Sequence, residues 1–126
     1  MRWAFLCPPP WEVAWVTDGG EALDFLQRQG RYRAAWRPDL MVLNLRLPKL
    51  NGLQVLAKIK ADPTLRHIPV VIWSVSTSSE DIDRAYAEGA AVYLAKPPYE
   101  RELRYQALAL RRLFEWARFP SQDPLG

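Results

Sequence analysis

Cysteine and histidine are almost missing: Cys7 and His67 are the only ones in 126 residues. A lone cysteine cannot form an internal disulfide, which suits a reducing compartment. His67 has no cysteine or second histidine nearby in the chain, so no zinc-type ligand set is present and it is read as a surface loop residue. No apolar run approaches the roughly 20 residues a membrane span needs. The opening Met1-Arg2-Trp3-Ala4-Phe5-Leu6-Cys7 is broken by Pro8-Pro9-Pro10 too early for a signal peptide. Charge of one sign is also scarce. A net charge of +3 is a weak, scattered basic bias, and it argues against a nucleic-acid surface. The expectation is a cytoplasmic protein with neither membrane nor nucleic acid as partner.

What is present is ordinary globular material: 49% hydrophobic and 25% charged residues. Residues 1–126 are expected to form one domain, with an atypical segment at 1–11, a long helix over 99–118 and a tail at 119–126. The most informative stretch is Pro38-Asp39-Leu40-Met41-Val42-Leu43-Asn44. An unbroken apolar run of this kind suits a strand covered on both faces, as in parallel α/β sheets. Ligands and chemistry collect at the carboxyl ends of such strands, which is where Asn44 falls. Pro48 closes the turn that follows.

Other elements read in order. Strands are expected at 1–7, ended by the prolines, and at 12–16. A helix capped by Thr17 or Asp18 follows and is expected to end at Gly30. Helix 52–61 follows Asn51-Gly52, which serve the turn before it. Strand 70–73 leads to a hydroxyl-rich loop, and a helix opening near Ser79 buries Ile82, Ala85 and Tyr86. Strand 91–95 precedes Lys96-Pro97 and the last helix. Strand and helix alternate, which argues for an α/β sandwich with a parallel central sheet.

The Pro-Asp-Leu strand ending at Asn44, the turn to Pro48, Asn51-Gly52-Leu53, the strand ending in Ser74, Gly89-Ala90, Tyr93 and Lys96-Pro97 occur in a telling order. From about Glu12 onward the chain resembles the receiver domains of bacterial two-component response regulators, which have a flavodoxin-like three-layer fold. It is most similar to single-domain regulators paired with phytochrome histidine kinases, through Asp62-Pro63, His67-Ile68-Pro69 and the aromatic Phe114-Glu115-Trp116 and Phe119-Pro120.

The resemblance implies phosphoryl transfer from a kinase histidine to an aspartate, with Mg²⁺ held by an acidic pair after the first strand. In this chain the acceptor position is Asn44, a poor nucleophile. The first strand is followed by Pro8-Pro9-Pro10-Trp11, without an acid, and Arg46 lies two residues beyond Asn44. Asp39 lies at the wrong end of its strand, and Asp18 belongs to the next strand's turn. No metal, cofactor or catalytic residue is therefore expected. The family's phosphate-contacting hydroxyl and lysine match Ser74 and Lys96. With Arg46 and Asn44 they form either a vestigial anion pocket or only a strand end and a solvated lysine. Val75 is larger than the family's usual residue there. Tyr93 matches the switch aromatic and is expected simply to cover the sheet edge.

The usual first helix is also missing, since residues 7–12 are too few for a parallel crossover. Residues 2–6 could fill the central slot antiparallel to 12–16, which is the favoured arrangement. Otherwise a partner covers the gap, the remaining strands close up, or the chain starts internally.

On the last helix, Leu103, Ala107, Leu110, Phe114 and Ala117 share one face at about 100° per residue. Tyr105, Ala109, Leu113 and Trp116 form a second apolar arc, with Arg104, Arg111 and Arg118 between the two. Aromatic residues beside arginine suit a subunit interface, and the resemblance implies dimerisation at this end. The expected function is phosphorylation-independent signalling or protein interaction in a two-component system. It would act as a homodimer, binding a phytochrome-type histidine kinase or competing with an active regulator. The alternatives are an anion or small-ligand module using the old phosphate pocket, and a truncated, non-functional remnant.

Overall fold

A computed structural model of the chain describes residues 3–6, 13–16, 18–46 and 51–117, with side chains described at 16, 18–46 and 51–117. The proline turn at 8–10, Thr17, Pro48, Arg118 and the 119–126 tail lie outside the described residues. The strands are β1 (Trp3–Leu6), β2 (Val13–Val16), β3 (Leu40–Leu43), β4 (Val70–Ser74) and β5 (Val92–Ala95). The helices are α1 (Gly19–Gln27), α2 (Gly52–Ala61), α3 (Ser79–Ala87) and α4 (Glu100–Trp116).

The sheet order is β2-β1-β3-β4-β5. β3, β4 and β5 run parallel, each joined to the next by a helix, and this is the receiver arrangement. β1 fills the central slot and runs antiparallel to both neighbours, Ala4 opposite Trp15 and Val42, Leu6 opposite Val13 and Leu40. The short 7–12 connection explains this: it is long enough for a return but too short for a crossover. The favoured sequence arrangement is the one observed. Among the described residues no helix precedes α1, so the first helix follows β2.

Alternation along the strands divides the core in two. Met41, Leu43, Val70 and Ile72 face Leu26 of α1, Val55, Leu56 and Ile59 of α2, and Ala85 of α3. Leu40, Val42 and Val71 face the opposite way, against Leu110 and Phe114 of α4. Three helices therefore cover one face. Among the described residues α4 alone covers the other, where the missing helix would have lain beside it.

Local chemistry sets the helix ends. Asp18 caps α1 by accepting the Glu21 N–H at 2.7 Å. That helix stops earlier than expected: Arg28 takes the left-handed conformation (φ 56°), and Gly30 instead opens a short 3₁₀ turn through Tyr32. Asn51 and Gln54 form a reciprocal capping box at the start of α2. Ser78 caps α3. Ile82 is half-buried, and Tyr86 is exposed rather than buried, its ring lying over the β5 edge instead of the core. His67, expected at the surface, is half-buried.

Candidate functional site

The carboxyl ends of β3, β4 and β5 bring Asn44, Ser74 and Lys96 together. A cleft of about 50 Å³ lies between them, lined by Asn44, Leu45, Arg46, Trp73, Ser74, Val75 and Lys96. That is room for a few waters or one small anion. All four residues that the sequence singled out for this pocket, Asn44, Arg46, Ser74 and Lys96, line the cleft.

Asn44 and Ser74 are buried polar groups and both are partnered. Lys96 Nζ donates to Asn44 Oδ1 at 2.7 Å, and Ser74 Oγ accepts the Ser76 N–H at 3.1 Å. The backbone locks the same corner, where the Lys96 N–H donates to Ser74 O at 2.6 Å. Arg46 is exposed at the mouth, as is Val75. Tyr93 is half-buried, and its hydroxyl donates to Ser76 O at 2.9 Å, tying β5 to the β4–α3 loop. Its backbone N–H points off the sheet edge and donates to the Tyr86 hydroxyl at 3.0 Å.

The cleft does not suit Mg²⁺, which takes oxygen ligands of which some are carboxylates. The lining side chains offer one amide and one hydroxyl oxygen, both already accepting hydrogen bonds, and two cations, Arg46 and Lys96. Strand reversal adds a second obstacle. Leu6, the last residue of β1, pairs with Leu40 at the start of β3, the opposite end of that strand from Asn44. At about 3.3 Å per residue, the four steps from Leu40 to Asn44 put it about 13 Å away. The acidic pair implied by the resemblance would follow β1, whose last residue, Leu6, is paired at the opposite end of β3 from Asn44.

Burial lowers the Lys96 pKa below its ordinary 10.5, because desolvation disfavours the charged ammonium. The sign for stability follows from proton counting. Between the lowered folded value and 10.5 the unfolded chain holds more protons, so stability rises with pH through that window. Below it the penalty is present in full. Lys60, also lowered by burial, contributes with the same sign. The stability difference between the chain and Lys96→Met is therefore expected to shift in favour of the chain as pH climbs toward 10.5. Urea midpoints across that range check it, and a pH-independent difference would contradict it.

Sequence reading missed Trp73, Gln106 and the packing of Gly52. The Trp73 ring lies under Lys96, with Nζ 5.4 Å from its centroid. Its Nε1–H donates to Gln106 Oε1 on α4, and Gln106 Nε2 donates to Ala95 O at 2.9 Å. A buried-strand tryptophan demands an acceptor for its N–H, and that signal was available. Gly52 lies against the chain leaving β3: a Cβ there would sit 2.2 Å from Asn44 O.

On α4 the inner face is Leu103, Gln106, Leu110 and Phe114, with only Leu110 fully buried. Ala107, expected inside, is exposed: at 100° per residue it lies about 60° round the helix from Leu110, on the side away from Gln106. The second arc is on the surface: Tyr105 is 61% exposed, Leu113 58% and Trp116 83%, with Ala109 exposed between them. At helical spacing this arc lies on the flank of Gln106, whose amide reaches the outer edge of β5, so helix and strand edge form one surface. Among the described residues no helix is long and apolar enough to cross a membrane. No cluster of three potential metal ligands occurs among them either.

A family model described as the response regulator receiver domain matches residues 5–108. Response regulator Rcp1 of Synechocystis sp. is 42% identical over 85 residues, which are 68% of this chain and 58% of Rcp1. The probable methanogenesis regulatory protein FilR2 of Methanothrix harundinacea is 44% identical over 86 residues, 68% of this chain and 54% of FilR2. The matches thus span little more than half the length of these relatives. Among solved structures, the phosphorylated cyanobacterial phytochrome response regulator RcpA superposes with a TM-score of 0.81 at 40% identity, covering 84% of this chain and 76% of that one. The Mn²⁺-bound form of Rcp1 gives 0.80 at 36% identity, covering 84% and 77%.

Proposed function

The chain belongs to the response regulator receiver family of two-component signalling, and within that family we propose that it is a phosphorylation-independent interaction module. Receiver domains are in general non-enzymatic signalling modules that interact with kinases. The observation that carries the reading is the Asn44–Lys96 hydrogen bond at 2.7 Å. An amide occupies the acceptor position, and its oxygen is already held by the lysine expected to meet a phosphoryl group. RcpA is phosphorylated and Rcp1 binds Mn²⁺; this chain offers neither a carboxylate at Asn44 nor an acidic lining to its cleft.

The interaction surface in this reading is the arc Tyr105, Ala109, Leu113 and Trp116, together with the outer edge of β5. It pairs two copies of the chain and leaves a kinase of the phytochrome type as the partner for which an active regulator competes. Exposed aromatics flanked by arginines support it: Arg101 stands 6.0 Å from the Tyr105 ring centroid. The β5 edge supports it further, because Tyr86 and Gln106 already occupy outward backbone groups of that strand. Association is then side chain to side chain, not by strand addition.

Light scattering tests both halves. The chain is expected at dimer mass with or without a small phosphodonor and Mg²⁺, and Trp116→Glu at monomer mass. A monomeric chain, or an unchanged mass for Trp116→Glu, contradicts the dimer. A mass that depends on the phosphodonor contradicts phosphorylation independence.

A further inference from the structure

A chain of side-chain contacts joins the cleft to α4. Lys96 is held at both ends of its ammonium environment, by Asn44 Oδ1 at 2.7 Å and by the Trp73 ring at 5.4 Å. The indole N–H of the same Trp73 is held by Gln106 of α4. Gln106 returns to the strand bearing Lys96 by donating to Ala95 O at 2.9 Å. The path Asn44–Lys96–Trp73–Gln106–Ala95 is thus a closed loop with one member on the helix.

We infer that this loop is a relay, in which the position of Lys96 in the cleft sets how firmly the middle of α4 is held to the sheet. The leverage comes from how little of that helix is buried. Leu110 is its only fully buried residue, while Leu103, Gln106 and Phe114 are half-buried. Gln106 sits one turn before Leu110, so its two hydrogen bonds tie the helix to the sheet beside its one fully buried residue. When Lys96 leaves the ring to meet an anion in the cleft, Trp73 loses the cation above it and Gln106 Oε1 loses a fixed indole N–H donor. The occupancy of the cleft is then felt on the helix that carries Tyr105, Leu113 and Trp116. That consequence rests on the proposed interaction surface; the relay itself does not.

Hydrogen exchange of the full chain, read by mass spectrometry, tests it. Lys96→Met keeps an apolar stem over the ring and removes the charge, and Trp73→Phe keeps a ring and removes the indole donor. Each is expected to speed exchange in the middle of α4 by about five-fold, the loss of one ordinary net hydrogen bond, and to leave α1 unchanged. The double variant is expected to be no faster than the faster single, because both cut the same path. If Trp73→Phe does not fold, Gln106→Met cuts the link from the helix side and replaces it. Unchanged α4 exchange in Lys96→Met overturns the relay. So do equal increases in α1 and α4, or single effects that multiply in the double variant. The same series in the Trp116→Glu background is expected to give the same pattern, so failure of the dimer leaves the relay standing and the reverse is equally readable.

Discussion

Gly52→Ala is expected to destabilise the chain by about 3 kcal/mol, combining overpacking with one lost hydrogen bond. The added Cβ meets Asn44 O at 2.2 Å, Leu45 Cα at 2.9 Å and Asn44 C at 3.1 Å. All three are backbone atoms, so no flexible side chain can swing aside. The Gly52 N–H donates to Leu45 O at 2.6 Å, and relieving the clash pulls this bond apart. It also displaces Asn51 and Gln54 from their reciprocal cap, next in sequence. Gly30 supplies the contrast: its φ of +59° disfavours alanine, yet nothing lies within 4 Å of an added Cβ. Gly30→Ala should then cost only about 1 kcal/mol, the usual penalty for a left-handed residue. Urea denaturation measures both, read as a midpoint shift at constant slope. A Gly52→Ala midpoint no lower than that of Gly30→Ala would show that the β3–α2 corner can yield.

Asn44→Asp is expected to restore the family's carboxylate without restoring its reaction. The new carboxylate lands where Asn44 Oδ1 now accepts from Lys96, so it becomes a partner of that lysine before anything else. Lys96 then meets a carboxylate in place of an amide, and at neutral pH the substitution is expected to be neutral or stabilising by up to about 1 kcal/mol, discounted for partial exposure. The carboxylate's pKa is depressed by Lys96. Its contribution is therefore present above the ordinary carboxylate range and lost as pH falls through the depressed value. Phosphoryl transfer is expected to remain blocked because the described lining of the cleft would hold a single carboxylate, with Arg46 at its mouth. Leu6, where β1 ends, also still pairs with Leu40, at the opposite end of β3 from the new carboxylate.

Much of this was legible in the chain because the signals were local. Leu40 to Leu43 read as a strand covered on both faces, and all four are buried. Asn44, Ser74 and Lys96 each end or follow a parallel strand, and strand ends of such sheets converge without further information. The reversed β1 followed from counting residues between 7 and 12. What escaped were contacts set by tertiary approach. Gly52 looked like a turn glycine, and its tightest neighbour lies on the preceding strand's exit. Gln106 drew no reading from the sequence, and it is the acceptor for Trp73. Ala107 was placed inside by helical spacing, but the helix settles on Leu110 with Gln106 turned to the sheet, which leaves Ala107 exposed.

The most direct test of a receiver without phosphoryl chemistry is the intact mass of the chain after incubation with a small phosphodonor and Mg²⁺, with Asn44→Asp alongside. The expected result is no phosphoryl adduct on either protein. An adduct on Asn44→Asp alone would show that the carboxylate suffices despite the reversed strand, and a stable adduct on the unmodified chain would contradict phosphorylation independence outright.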